Sequence, residues 1–129
     1  MKKIVVDTNF LLLPVEYRID LHSELLRIAD GPLEIILPSG VISELRMLSG
    51  KTGRRALAAR FALQLVAKWR AEGRIEEMAS TGRTDGWIVR YAAKNDVYVA
   101  TNDISVLKRV LSFGRKVISL QGKSKLAFA

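Results

Sequence analysis

Four carboxylates in this chain stand at strand ends or helix starts, where side chains do chemistry. Asp7 closes the run Ile4-Val5-Val6 and is followed by Thr8 and Asn9. Asp103 closes a second run, Val97 to Ala100, behind Thr101 and Asn102. Glu44 lies on the border of a helical stripe made by Val41, Ile42, Leu45 and Leu48, and Asp85 follows Thr84 in the first turn of another helix. Three of them have a plain alternative. Asp7 could cap the helix after it; Asp85 gains roughly 0.3–1 kcal/mol from the helix dipole alone; Glu44 could pair with Arg46 or Arg27. A half-buried charge without a partner is costly, so Glu44 either finds a base or binds a cation. Carboxylates a few ångströms apart repel one another, and a divalent cation relieves that repulsion. With no cysteine and a single histidine, His22, the donors are oxygens, which select magnesium or manganese over zinc.

The elements that must position these acids follow from the hydrophobic pattern. Ile4 to Val6 and Val97 to Ala100 are apolar without alternation, as in strands buried on both faces of a parallel sheet. Ligands of open α/β sheets gather outside the carboxyl ends of such strands, and all four acids face that rim. Phe10 to Leu13 reads as a helical turn stopped by Pro14, and Val15 to Asp20 as a polar connection. Asp20 caps a helix with the stripe Leu21, Leu25, Leu26 and Ile28, which closes at Asp30-Gly31-Pro32. Glu34 to Leu37 is a strand, and Pro38-Ser39 opens the helix of Glu44. Arg54 to Glu72 is an alanine-rich helix whose broad face of Leu57, Ala58, Phe61, Ala62, Leu65, Val66 and Trp69 serves the core or a dimer. A short strand spans Arg74 to Met78. Thr84 caps a helix with Trp87, Ile88, Tyr91 and Ala92 inward. After Asp103, Ile104, Leu107, Val110 and Leu111 make another stripe, Lys116 to Ser119 is the last strand, and Leu120 to Ala129 a basic tail. The alternation predicts one domain over residues 1–129, a three-layer α/β/α sandwich on a central parallel sheet of about five strands.

Gly50-Lys51-Thr52 ends like a phosphate-binding loop, but Leu45 stands where that pattern needs glycine, and a helix precedes it instead of a strand. Nucleotide binding is rejected there. The net charge of +8 is uneven: residues 1–50 carry 5 basic and 7 acidic side chains, residues 51–129 carry 16 basic and 6 acidic. A basic balance of this size suits a polyanion, because each base that neutralises a phosphate releases a counterion. No apolar run approaches the roughly 20 residues of a membrane span, and a cytoplasmic protein without a membrane partner is expected.

Asp7-Thr8-Asn9, Ile42-Ser43-Glu44-Leu45, Thr84-Asp85 and Thr101-Asn102-Asp103 resemble, in order, the four acidic signatures of the PIN-domain nucleases, over the whole chain. Leu107-Lys108-Arg109 and Val117-Ile118 before a basic tail are most similar to archaeal and ribosome-biogenesis-like members. The resemblance implies a sheet ordered 3-2-1-4-5 and frequent homodimers. It also implies an endoribonuclease using one or two magnesium or manganese ions, held by Asp7, Glu44, Asp85 and Asp103, whose metal-activated water attacks phosphorus. Asn9, Thr101 and Asn102 would be auxiliary polar groups, and Lys51, Arg54, Arg55, Lys108 and Arg109 the RNA contacts. Ile104 and Ser105 stand where some members carry a further acid, so a second ion would be held weakly or only with substrate. The competing reading is a non-catalytic RNA-binding or assembly module. Toxin and RNA-processing roles, with an antitoxin or a ribosome-assembly partner respectively, stay open.

Overall fold

The computed structural model describes residues 1–129. In chain order the elements are β1 (Lys2–Val6), α1 (Thr8–Leu11), α2 (Leu13–Tyr17), α3 (Leu21–Ala29), β2 (Leu33–Pro38), α4 (Ser39–Ser49), α5 (Arg54–Ala71), β3 (Ile75–Met78), α6 (Thr84–Lys94), β4 (Tyr98–Ala100), α7 (Ile104–Ser112), β5 (Val117–Gln121) and β6 (Lys125–Phe128). The six strands lie in one sheet ordered β3-β2-β1-β4-β5-β6. The first five are mutually parallel and carry the expected 3-2-1-4-5 order, and β6 adds antiparallel to β5. No helix is long and apolar enough to cross a membrane.

Alternation along β1 divides the core in two. Ile4 and Val6 point into a cluster of 22 buried residues shared with α1 to α5, including Phe10, Leu25, Leu45 and Trp69. Val5 points the other way, into a cluster of 10 with Ile36, Val99 and Val117 of the sheet and Ile88, Val106 and Val110 of α6 and α7. The centre of the sheet therefore has apolar cover on both faces. That is why its strands read as continuous hydrophobic runs.

Several expectations give way. Leu120 to Ala129 is a hairpin arm, not a tail: Leu120 pairs with Leu126 and Ser119 with Ala127, and the Leu126 side chain is buried. Pro14 opens α2 rather than stopping a helix, since a proline in the first turn forfeits only an amide that has no partner there. Thr84 is the first helical residue of α6, with Arg83 at the cap position. Leu26, Leu57, Phe61, Ile104 and Leu111 are exposed. The inward faces are narrower and rotated: α5 buries Ala56, Ala58, Ala59, Ala62, Val66 and Trp69, α6 adds Val89, and α7 buries Val106 and Val110. Alanines on α5 let it lie close against α4, so smaller residues than leucine occupy the contact.

Candidate active site

Asp7 is the last residue that β1 places in register: its amide donates to the Ala100 carbonyl at 3.1 Å, one step beyond the strand. The carboxylate is 3% exposed. It accepts a hydrogen bond from the Thr8 amide at 2.6 Å, and its Oδ2 accepts one from the Thr101 hydroxyl at 2.8 Å. Thr101 in turn accepts the Asp103 amide at 3.0 Å, so the ends of β1 and β4 are joined by a relay of short bonds. Burial pushes the Asp7 carboxyl up to about 6. The Thr101 and Thr8 bonds oppose that rise, and the nearby charges of Asp85 and Glu44 add to it.

Glu44, on α4, accepts a hydrogen bond from the Thr8 hydroxyl. Of the seven glutamates in the chain, Glu16, Glu24, Glu34, Glu72, Glu76 and Glu77 each pair with a lysine or arginine at 3.9 Å or less. Glu44 alone has no base; neither Arg46 nor Arg27 reaches it, and Arg27 holds Glu24 instead. Asp85, the second residue of α6, shares a cleft of about 440 Å³ with Glu44, Ser43, Arg83 and Thr84. No hydrophobic residue lines it.

The cleft depends on a close approach between the starts of α4 and α6. The Ser80 hydroxyl accepts the Gly40 amide at 2.8 Å, and the Ser39 hydroxyl accepts the Ser80 amide at 2.9 Å. A Cβ on Gly40 would lie 2.5 Å from the Thr84 Oγ1, so only glycine permits this spacing. Glu44 stands one turn beyond Gly40, and Asp85 is next to Thr84. Their separation is thus tied to the contact of the Gly40 backbone with the Thr84 and Ser80 hydroxyls.

The structure brings Glu44 and Asp85 near enough for their charges to act on the Asp7 carboxyl, and both line one cleft. Asp103 joins them through Thr101, while its Oδ1 caps α7 by accepting the Ser105 and Val106 amides at 2.9 and 3.3 Å. As the side chains stand, no three acids gather closely enough to hold one ion between them. The donor chemistry nevertheless fits a hard cation: carboxylates and hydroxyls, with Arg83 in the cleft but no base paired to any of the four acids. Asn9 Oδ1 accepts from Arg55 at 2.7 Å, and Asn102 Oδ1 accepts the Leu120 amide at 2.8 Å. The basic positions differ among themselves. Arg54 spends its guanidinium on the Val15 and Glu16 carbonyls of α2, Arg55 reaches the rim, and Lys51, Lys108 and Arg109 are exposed.

Thr8, Gly40, Ser80 and Arg83 escape the sequence reading. Thr8 sits beside an acid but meets its partner 36 positions away. The Ser39–Ser80 bridge spans 41 positions, and only the serine and glycine at the two helix entrances hint at it.

Residues 4–123 match the family model of a PIN-like domain. Ribonuclease VapC4 of Methanocaldococcus jannaschii is 30% identical over 127 residues, covering 95% of this chain and 93% of that protein. Among solved structures, the PIN domain endonuclease Utp24 superposes with a TM-score of 0.75 at 24% identity, over 98% of this chain and 90% of that one. A domain of a functionally unknown protein from Methanocaldococcus jannaschii gives 0.65 at 18% identity, over 95% and 93%. These last two carry the likeness of fold. With the matched model spanning nearly the whole chain and an acidic rim at the carboxyl ends of its strands, this chain belongs to the PIN-like domain family.

Proposed function

We propose that this protein is a metal-dependent endoribonuclease that hydrolyses RNA phosphodiester bonds. The observation that carries the reading is the group Asp7, Glu44 and Asp85: acids held together by the fold with no basic partner, on the rim where a parallel sheet presents its ligands. Nuclease activity is supported by family membership and by the likeness to a protein named a ribonuclease. Asp7, Glu44, Asp85 and Asp103 would hold one or two magnesium or manganese ions. A bound ion supplies positive charge and activates water for attack on phosphorus. Thr8 and Thr101 hold the Glu44 and Asp7 carboxylates in place, with Asn9 and Asn102 beside them. Lys51, Arg55, Lys108 and Arg109 would meet the substrate's phosphates, with Arg54 acting through its grip on α2. The same likeness supports RNA as a partner; an antitoxin or a ribosome-assembly factor, and a second copy of the chain, are further partners of this proposal.

Asp7→Asn and Asp103→Asn test the reading. Both keep shape, and asparagine is as good a helix cap as aspartate, so α7 survives the second change. Cleavage of single-stranded RNA in magnesium or manganese should fall by about 100-fold or more in each, while RNA affinity holds or rises as a negative charge leaves. If Asp7→Asn cleaves as fast as the parent, the nuclease reading fails and the RNA-binding module takes its place.

A further inference from the structure

Beside the acids, but apart from the cleft of Glu44 and Asp85, lies a second cavity of about 470 Å³. Asn9 of α1, Leu13 and Tyr17 of α2, Arg55 of α5, Asn102 and Leu120 form its walls. Its position ties it to the site, because Asn9 is two residues past Asp7 and Asn102 lies between Thr101 and Asp103. A polynucleotide whose scissile phosphate rests near Asp7 must run across it or across the acidic cleft.

The chemistry of the walls says what it could take. The Asn9 Oδ1 is used by Arg55 and the Asn102 Oδ1 by the Leu120 amide, which leaves both Nδ2 groups as donors without a partner in the chain. Arg55 adds further donors, and the one acid in the wall, Glu16, lies 3.8 Å from that guanidinium. Exposed pairs of this kind are weak, so a phosphate can displace Glu16 from Arg55. Donors facing inward call for acceptors: phosphate oxygens and the carbonyl and ring-nitrogen edges of a base. Leu13 and Leu120 supply apolar walls, and Tyr17, 42% exposed, offers an aromatic ring. Arg54 holds α2 through the Val15 and Glu16 carbonyls at 3.1 and 3.2 Å, so the backbone that carries Tyr17 is held before any ligand arrives. The volume lies within the range of about 300–1,000 Å³ usual for small-molecule pockets. A base within a duplex cannot enter such a cavity, whereas an unpaired one can be splayed into it.

The geometry points to this cavity as a subsite for one unpaired nucleotide flanking the scissile phosphate of a single-stranded RNA, with Tyr17 against its base and Arg55 on its phosphate. This rests on the ribonuclease reading above and deepens it.

The test crosses protein and substrate. One single-stranded RNA is made as a series, each member lacking the base at one position, and is cut in manganese by the parent, Tyr17→Ala and Tyr17→Phe. Removal of the base at one position beside the cut should slow the parent about 5- to 150-fold, the range of a single base–aromatic stack. Tyr17→Ala should cut the intact RNA slower by a similar factor and be indifferent to that missing base; Tyr17→Phe should behave as the parent. Equal sensitivity of Tyr17→Ala and parent at that position, or a parent indifferent to base removal everywhere, overturns the subsite. A parent that cuts no RNA overturns the ribonuclease reading instead. The same crossed comparison by fluorescence anisotropy, without divalent metal, then decides the subsite on affinity.

Discussion

Asp7 is held in a state that costs the fold stability. Its carboxyl is pushed up to about 6 by burial and by the charges of Asp85 and Glu44, so the folded chain binds that proton more tightly than the unfolded one does. Stability therefore declines as pH rises from about 4 through about 6 and stays lower above, by about 3 kcal/mol at neutral pH. Without divalent metal, Asp7→Asn should raise the melting temperature by several degrees at pH 7.5 and by little at pH 4. Thermal unfolding at the two pH values checks this, and an equal shift at both would mean that lost charge is not the cause. A change that stabilises the fold and, on the proposed function, abolishes cleavage is what an acid kept for a cation predicts. Asp7 and Asp103 were legible in the sequence because each closes an apolar β-branched run with the polar pattern Asp-Thr-Asn or Thr-Asn-Asp. Their bonds to Thr8 and Thr101 were half legible: the residues are adjacent, but the Thr101–Asp7 pairing exists only because β4 lies beside β1. Glu44 was visible as an acid on the edge of an apolar stripe. That no arginine reaches it could not be read from spacing, since Arg27 and Arg46 were equally plausible partners until the fold placed them.

Among the elements, the two helix entrances at Ser39-Gly40 and Arg83-Thr84 hold the site together. An added methyl at Gly40 meets Thr84 Oγ1 at 2.5 Å and Ser80 Oγ at 3.1 Å, and relief comes from turning those hydroxyls aside or from parting the starts of α4 and α6, the second of which separates Glu44 from Asp85. Gly40→Ala should cost about 1–3 kcal/mol of stability, as overpacking does, and should lower the cleavage rate by more than that loss of folded protein explains. Adding Thr84→Ala removes the obstructing hydroxyl and should return most of both. Denaturant unfolding and single-turnover cleavage on the single and double variants decide it; a double variant no better than Gly40→Ala would locate the effect elsewhere. Such an approach is invisible in one sequence, because a glycine near a helix start has many ordinary reasons to be there. The hairpin arm β6 is a different kind of omission. Leu126, buried, stands between exposed Lys125 and half-buried Ala127, a weak alternation behind the turn Gly122-Lys123-Ser124, and the lysines hid it. Its anchors are remote: Glu24 accepts the Leu126 amide at 2.9 Å, and Arg27 donates to the Leu126 carbonyl at 2.8 Å. Arg27 also donates to the Glu24 carboxylate at 2.9 and 3.0 Å, and these bonds, with the Leu126 amide second, hold the Glu24 carboxyl down at about 2. The exposed leucines on α3 and α7 follow from a buried arc narrower than the apolar one. Periodicity alone reports the wider arc.

For the molecule as a whole, charge and shape divide the labour. The bases lie mainly in residues 51–129, while the four acids come from both halves, Asp7 and Glu44 from the first fifty residues and Asp85 and Asp103 from the rest. The α5 helix packs against α2 and α4. Its inner face is filled by alanines, Val66 and Trp69, which leaves Leu57 and Phe61, 52% and 44% exposed, outside the core that they would otherwise complete. These two are four residues apart, and the half-buried Leu65 continues the row, so the three lie one above another along the helix. Leu65 still packs against the core, but the exposed parts of Leu57 and Phe61 are relieved of water only against another surface. A second copy of the chain is the partner expected from the sequence, and that row is the contact it would take. Sedimentation at tens of micromolar should show a dimer, and Phe61→Asp should shift it to monomer with little change in the unfolding of each chain, since Phe61 is already half in solvent. A parent that stays monomeric at the highest attainable concentration removes the dimer. Because Arg54 and Arg55 open the same helix and reach α2 and Asn9, a dimer built on Phe61 would also stiffen the approach to the acids. Phe61→Asp should then slow cleavage of RNA while leaving the parent's dependence on manganese concentration unchanged.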